Sequence, residues 1–442
     1  MEKSKKAITI ASAILCVVQV FFWSFLVSVC SGGSCDYGPS SSYSDYPYPS
    51  PSPTCTSSYL SQNPSSEILP QIYTTNINKA TGDSYINVYN LQDNGNVKAS
   101  RQITGLKDAR GIQVVNESLC VVNKGHNSIA VYKASDMDRV SPLWNISGPD
   151  TLLKGVWGIF VNQQEIYVSG ESCITVYDWA PGKTNASPKR SISDVDGGFS
   201  SLSGIYVDNT YLYVANRFGK SVKVYDKSQN GSVSSAKEIY GSNTQLLEPV
   251  GIFVEEGEVF VSDAGDNSIK IYNSFGNIAP VRSIQGPDTR LNGPHGIWIS
   301  DESLYVCNYK ENSVTVYNMM DNGNISPKQT IQGENTGLSY PSGIYVAEKL
   351  SSLKVTEQIN GVQLEWKNDS KNIIGFYIWR AKRGEENYTK ITPLMIMANE
   401  AGEYSYLDRD ALPQDFVYRY QLQKVNTLHK EKWDRSVSLE QK

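Results

Sequence analysis

Histidine is nearly missing from this chain of 442 residues, which holds only three. They are His126, His295 and His429, too few and too scattered for the three-histidine zinc centre that some repeat enzymes use. Neither HExxH nor GxSxG occurs, so zincin and nucleophile-elbow chemistry have no basis here. Cysteine is scarce as well, with 7 residues and no disulfide framework. Cys120 and Cys307 fall in strand-like segments, where a small buried thiol is expected, and Cys35 and Cys55 could pair with each other. Positive charge is not in excess: 40 Lys and Arg face 45 Asp and Glu, a net charge of -5 that argues against a nucleic-acid surface. Phenylalanine is low, at 11, against 28 Tyr, a skew that suits many half-exposed strands. What remains, 40% hydrophobic and 19% charged, is a globular composition in a chain long enough for several domains or a repeat.

The N-terminus differs from everything after it. Lys3, Lys5 and Lys6 precede an uncharged apolar run that reaches Val29, the pattern of an export signal or membrane anchor in residues 1–30. The run ends in LVSVCSGGSC, which resembles a bacterial lipobox and implies cleavage before Cys30 and acylation of that cysteine, although Val29 stands where such signals carry Gly, Ala or Ser. An uncleaved transmembrane helix and simple secretion stay open beside the lipid anchor. All three export the chain, and the resemblance implies a bacterial cell envelope, periplasmic or cell-surface. Residues 31–66, rich in Ser, Pro, Tyr and Gly, have too little aliphatic surface to fold and are expected to be a disordered tether.

Self-similarity organises the next part. A Gly-Ile pair recurs at Gly111, Gly158, Gly204, Gly251, Gly296 and Gly343, with spacings of 47, 46, 47, 45 and 47. A tyrosine ends a second alternating segment at Tyr89, Tyr132, Tyr177, Tyr225, Tyr272 and Tyr317, and a third reads LCVVN, IYVSG, LYVAN, VFVSD and LYVCN. Each unit therefore holds four short strands in about 46 residues, the length of a propeller blade. The chain opens on a second strand at Ile72 and closes on an orphan first strand at Gly343, so joining its ends predicts a six-bladed β-propeller over residues 67–348. Asn94-Gly95 and Asn322-Gly323 lie in near-copied segments and predict tight turns in the third hairpin.

Pro294-His295-Gly296-Ile297, Leu212 to Asn216 and Asn267-Ser268-Ile269 together resemble the NHL-repeat family. That resemblance implies a propeller. It leaves activity open, since relatives include binding modules, a zinc lyase and metal-dependent lactonase-like enzymes. From residue 349 the period stops. Val362 to Trp366, Gly375 to Arg380, Tyr404 to Asp408 and Val417 to Val425 resemble a fibronectin type III domain, an immunoglobulin-like β-sandwich with Trp366 in its core and Tyr418, after Leu412-Pro413, as its corner tyrosine.

The fold class expected is all-β, and the function that of an extracytoplasmic, membrane-tethered binding or scaffolding protein. Its partner would be a protein or a polar or anionic ligand; no nucleic acid, cofactor or metal is expected, and no catalytic residue. The alternative is a lactonase-like or lyase-like enzyme, for which Asn76, Asn123, Asn216, Asp263 and Asn308 at the ends of second strands would supply oxygen ligands to a cation. A competing role for these residues is to cap their own turns. The repeat also acts as an internal alignment. Directly before the glycine stand Arg110, Trp157, Ser203, Val250, His295 and Ser342, all different in chemistry except for the two serines, and the loop after the second strand adds Lys124, His126, Glu171, Arg217, Phe218 and Tyr309. The ligand-binding candidates on this rim are Arg110, Trp157, His295, Lys124, Arg217 and Tyr309, with free variation of a solvated rim as the competing explanation.

Overall fold

A computed structural model describes residues 70–115, 118–162, 164–195, 197–347, 353–358, 360–368, 373–382, 388–399, 401–411, 418–426 and 431–438. The leader with Cys30, the tether 31–66, Leu412-Pro413 and His429 lie outside the described residues. Among the described residues the structure is all β apart from three-residue helical turns, and no helix is long and apolar enough to cross a membrane.

Residues 71–347 form six small sheets, each with a four-strand antiparallel path. The first runs Ala109–Val115, Ser118–Asn123, Ser128–Lys133 and Trp144–Ile146 in spatial order. The second to fifth repeat this order from inner strands Ile159–Val161, Leu202–Val207, Pro249–Glu255 and Pro294–Ser300. The sixth is assembled from both ends of the segment: Ile344–Ala347 pairs antiparallel with Gln71–Ile77, with Val346 opposite Ile72 and Ile344 opposite Thr74. Each inner strand touches the next, and the sixth touches the first, so this propeller-type ring has no free inner edge. Apolar residues at alternate positions pack between neighbouring sheets; Cys120 and Cys307 are both buried there.

The recurring glycine follows from how closely the inner strands approach. A methyl group at Gly111 would lie 2.7 Å from the Ile159 nitrogen, and at Gly204 and Gly296 2.6 Å from the Val250 and Ser342 carbonyl oxygens. No side chain fits there. At the same place the pairing register slips, between Ala109 and Ile112, Leu202 and Ile205, Pro249 and Ile252, and Pro294 and Ile297. Such a bulge releases the glycine and its predecessor from their own sheet and re-aims them. The Gly111 amide donates to Trp157 O and the Gly296 amide to Ser342 O, both at 2.8 Å across to the next sheet.

The outer part is tied by a motif that composition and periodicity did not reveal. Gly-x-x-Thr turns at Gly148, Gly241, Gly286 and Gly333 precede inner strands, and each threonine hydroxyl donates back to its glycine carbonyl. The repeated tyrosines anchor these turns: Tyr177 donates to Thr151 O at 2.5 Å, Tyr272 to Thr244 O at 2.6 Å and Tyr89 to Thr336 O at 2.8 Å. The Asn-Gly turns differ from expectation. Asn94-Gly95 sits inside a long connection between Asn90 and Arg101, and Gly95, at φ 77°, forms a bridge to Ile331 of the neighbouring sheet, as Gly323 does to Ile284. A left-handed glycine there lets the connection reach across instead of folding tightly back.

The C-terminal segment holds two sheets, one of Lys354–Gln358, Gly361–Lys367 and Glu403–Asp408, the other of Thr389–Lys390, Ile373–Lys382, Tyr418–Asn426 and Glu431–Ser438. They share a core in which Trp366 stacks on Tyr404 at 5.5 Å, near Phe376, Ile378 and Leu422. Tyr418 lies under the Arg380 guanidinium at 5.2 Å, and the Tyr420 hydroxyl donates to Asp408 at 3.0 Å.

Candidate functional site

The residue before each glycine and the loop after each second strand meet at one end of the ring, and all six candidate residues fall in one cluster. Trp157 is its centre. The Arg110 guanidinium lies 4.3 Å from the Trp157 ring, the Lys124 ammonium 4.6 Å and the Arg217 guanidinium 5.3 Å. His295 lies 6.1 Å from Trp157 and stacks on Tyr309 at 4.2 Å, with an interplanar angle of 18°. Three residues not singled out from the sequence join them. Lys79 sits 3.7 Å over Tyr340 and 5.1 Å over Tyr309, the two tyrosine rings are 5.2 Å apart, and Lys310 adds a further charge near His295. Lys79 and Lys310 occupy the same loop as Lys124 and Tyr309 in their repeats, so the register was a signal for them; Tyr340 belongs to the loop before an inner strand.

The expectation of a solvated rim is corrected for two members. His295 is only 4% exposed and Arg110 8%, because the bulge turns them inward under Trp157 and Tyr309. The other four are half-buried. Phe218 is exposed at the edge of the cluster, with the Arg217 guanidinium 5.3 Å from its ring, whereas Glu171 pairs with Lys154 at 3.1 Å and His126 Nδ1 meets the Asn123 amide at 3.2 Å.

Charge in the cluster is unbalanced. Arg110 pairs with Asp108 at 2.5 Å, a close contact not aligned as a hydrogen bond, and Arg217 presents Nε and Nη2 to Glu248. Among the described residues no carboxylate lies within ion-pairing distance of Lys79, Lys124 or Lys310. Burial, with the charges of Arg110, Arg217, Lys310 and Lys79, holds His295 well below its ordinary range and so neutral. Burial and the adjacent Arg110 likewise push the Lys124 ammonium down. Two nitrogens in this setting, Arg110 Nε and His295 Nδ1, are buried without a hydrogen-bond partner. Below the cluster a channel of about 70 Å³ is lined by inner-strand residues of all six sheets, from Arg110, Trp157 and Ser342 down to Phe160, Tyr206 and Trp298.

The residues ending the second strands are engaged elsewhere. Lys107 N, Ser200 N and Asn292 N donate to Asn123, Asn216 and Asn308, at 2.8, 2.7 and 3.2 Å. Asn76 accepts from Ser339 N at 3.2 Å, and Asp263 from Leu247 N and Glu248 N, both at 2.7 Å. They therefore hold the loop that leads into the inner strand. Capping of their own turns is the lesser part, seen for Asp263 with Gly265 N at 3.0 Å. Asp263 is further compensated by the buried Lys270 ammonium at 2.8 Å. These oxygens accept hydrogen bonds from backbone amides, and Asp263 also from a lysine. Among the described residues no group of three or more His, Cys, Asp or Glu could hold a metal.

No family model and no curated protein matches the chain. Among solved structures it is similar to one from a nidogen/laminin complex, with 14% identity over 63% of this chain and 99% of that one, at a TM-score of 0.46. Hsv2 of Kluyveromyces lactis shares 11% identity over 77% of this chain and 98% of its own, at 0.34.

Proposed function

We propose that this protein is an extracytoplasmic binding protein: a six-bladed, NHL-like propeller tethered to the bacterial envelope through Cys30 or an N-terminal helix, followed by a fibronectin type III sandwich. The propeller binds an anionic partner at the Trp157 cluster. One observation carries this reading: cations from separate sheets gather on one aromatic cluster, Arg110, Lys124 and Arg217 at Trp157 and Lys79 at Tyr309 and Tyr340, and Lys79 and Lys124 have no ion-pair partner among the described residues. Like charges repel, so gathering them costs stability that an anionic partner would recover. The aromatic faces partly offset that cost and add contact area for a ligand.

A direct test is titration of the exported protein with dextran sulfate and with neutral dextran. The sulfated polymer is expected to bind with a strong salt dependence and the neutral one not at all. Lys124→Ala and Arg217→Ala should each weaken the sulfated complex. Equal binding of both polymers, or of neither, would refute the anionic reading. The anchoring proposal is separate, and intact mass decides it: a chain starting at Cys30 with added acyl mass supports it, and an unmodified chain lacking the leader contradicts it.

A further inference from the structure

The loops that follow the second strands carry positive charge well beyond the Trp157 centre. Lys79, Lys124, Lys220 and Lys310 come from four of the six loops, and none has an ion pair among the described residues. Lys79, Lys220 and Lys310 are exposed. The acids of the same loops are mostly taken up, Glu171 by Lys154 and Asp266 by Lys270, while Glu311 accepts from the Asn292 and Gln332 amides. At the other end of the channel the pattern reverses. The hairpins from inner to second strand, at 116–117, 162–164, 208–210, 256–257 and 301–302, contain Asp and Glu but no Lys or Arg.

Two large apolar side chains stand out at the cationic end. Phe218, 63% exposed, is the most exposed large hydrophobic residue described in the ring, and Leu247 is 46% exposed. Each is the chain neighbour of one member of the Arg217–Glu248 pair, whose side chains bond at 2.7 Å. Their backbones are fixed: Phe218 N donates to Ser200 O at 3.0 Å and Leu247 N to Asp263 Oδ2 at 2.7 Å. Resting on the anionic reading, we propose that the partner at this end is a lipid surface rich in anionic headgroups, with the lysines among the headgroups and Phe218 and Leu247 in the layer beneath. A hydrated polyanion would pair with the lysines and leave both apolar side chains in water. A bilayer interface sets negative charge directly over an apolar layer, and attachment to it grows with electrostatic attraction and buried apolar area together. Lysines spread over four sheets of the ring also suit a plane better than a single small ligand.

The probes are vesicles of phosphatidylcholine, with and without phosphatidylglycerol, mixed with the full exported chain and read by hydrogen–deuterium exchange. Any N-terminal anchor enters both kinds of vesicle, so the difference between them reports the ring. Protection of the amides at 217–220 and 245–248 is expected with phosphatidylglycerol, reversed by high salt, and none with phosphatidylcholine alone. Phe218→Ser combined with Leu247→Ser removes apolar surface and no charge, and should abolish most of that protection; Lys220→Ala should reduce it by itself. Circular dichroism checks folding. If dextran sulfate binds while neither vesicle protects these loops, or both protect them equally, the lipid inference fails and the anionic reading stands. Protection that persists in the folded Phe218→Ser, Leu247→Ser variant also overturns it, since charge alone would then suffice. Polyglutamate binding that needs Phe218 and Leu247, with vesicles ineffective, would make the partner an acidic protein instead. If neither dextran sulfate nor vesicles bind, both readings fail.

Discussion

The same inner strands carry two sets of side chains, one residue before the glycine and two residues after it, about 10 Å apart along an extended strand. The positions after it hold Phe160, Tyr206, Phe253, Trp298 and Tyr345, with Gln113 in the first sheet. Successive rings meet edge to face or tilted, at 5.3, 4.9, 5.1 and 4.5 Å, in an aromatic collar. Gln113 takes the remaining place through its amide, which donates to Val161 O at 2.9 Å and accepts from Val161 N at 2.7 Å. The positions before it hold Arg110, Trp157, Ser203, Val250, His295 and Ser342, which differ in chemistry except for the two serines. One end is therefore uniform because neighbouring sheets pack against each other there. The other is varied, charged and unsatisfied, as expected where the partner lies outside the fold. In the proposed function the collar carries stability and the mouth carries binding.

The largest effect comes from breaking the ring that both ends share. A truncated chain of residues 111–347 removes the strands that pair with Ile344–Ala347 and should lose cooperative unfolding, as followed by calorimetry against residues 67–348. An equally sharp transition would mean that the sixth sheet is dispensable. Next, Phe253→Ala in the collar should cost about 3–5 kcal/mol by chemical denaturation while leaving dextran sulfate affinity unchanged. A collar variant that abolished binding at full stability would invert the assignment of the two ends.

A smaller effect concerns pH and His295. Its folded-state value lies below the ordinary 6.5, because burial and the facing Arg110, Arg217, Lys310 and Lys79 disfavour the imidazolium, with Asp108 and Glu248 already paired to the arginines. The unfolded chain thus binds the proton more readily. The stabilisation is fully present above about pH 6.5 and is lost as pH falls below it, by up to ~1.4 kcal/mol per pH unit for one proton. Denaturation midpoints between pH 7 and 5 should show this slope, and His295→Phe should flatten it. An unchanged slope would place the titration elsewhere. Smallest in stability, Lys124→Ala should shift unfolding by no more than about 0.5 kcal/mol, yet weaken the dextran sulfate complex several-fold. Asp93→Ala and Asp321→Ala, in connections outside the cluster where these acids bond Asn90 N and Asn318 N at 2.8 Å, should leave affinity unchanged.

Much of the ring was legible because packing repeats. The inner glycine, the third-strand tyrosine and the residue ending the second strand recur since each meets the same backbone in every sheet. The Gly-x-x-Thr turns escaped notice because only their ends are constant: Pro149-Asp150 in one is Ser242-Asn243 in another. Within the site, the alignment of repeats brought out Arg110, Trp157, His295, Lys124, Arg217 and Tyr309. Their burial could not be read, because a register slip of the inner strand leaves no mark on composition. Asp108, Glu248 and Tyr340 stand at one common position, three before the glycine, and that register would have disclosed them. The sequence places opposite charges beside the arginines there, which is how the arginines become oriented.

Hydrogen–deuterium exchange of the exported chain, with and without saturating dextran sulfate, tests most directly which end binds. Protection is expected in the amides of residues 108–111, 155–158, 217–220 and 309–310, the loops and bulges around Trp157. Protection confined instead to the collar residues or to the connections at 91–97 and 319–325, with the Trp157 loops unchanged, would contradict it.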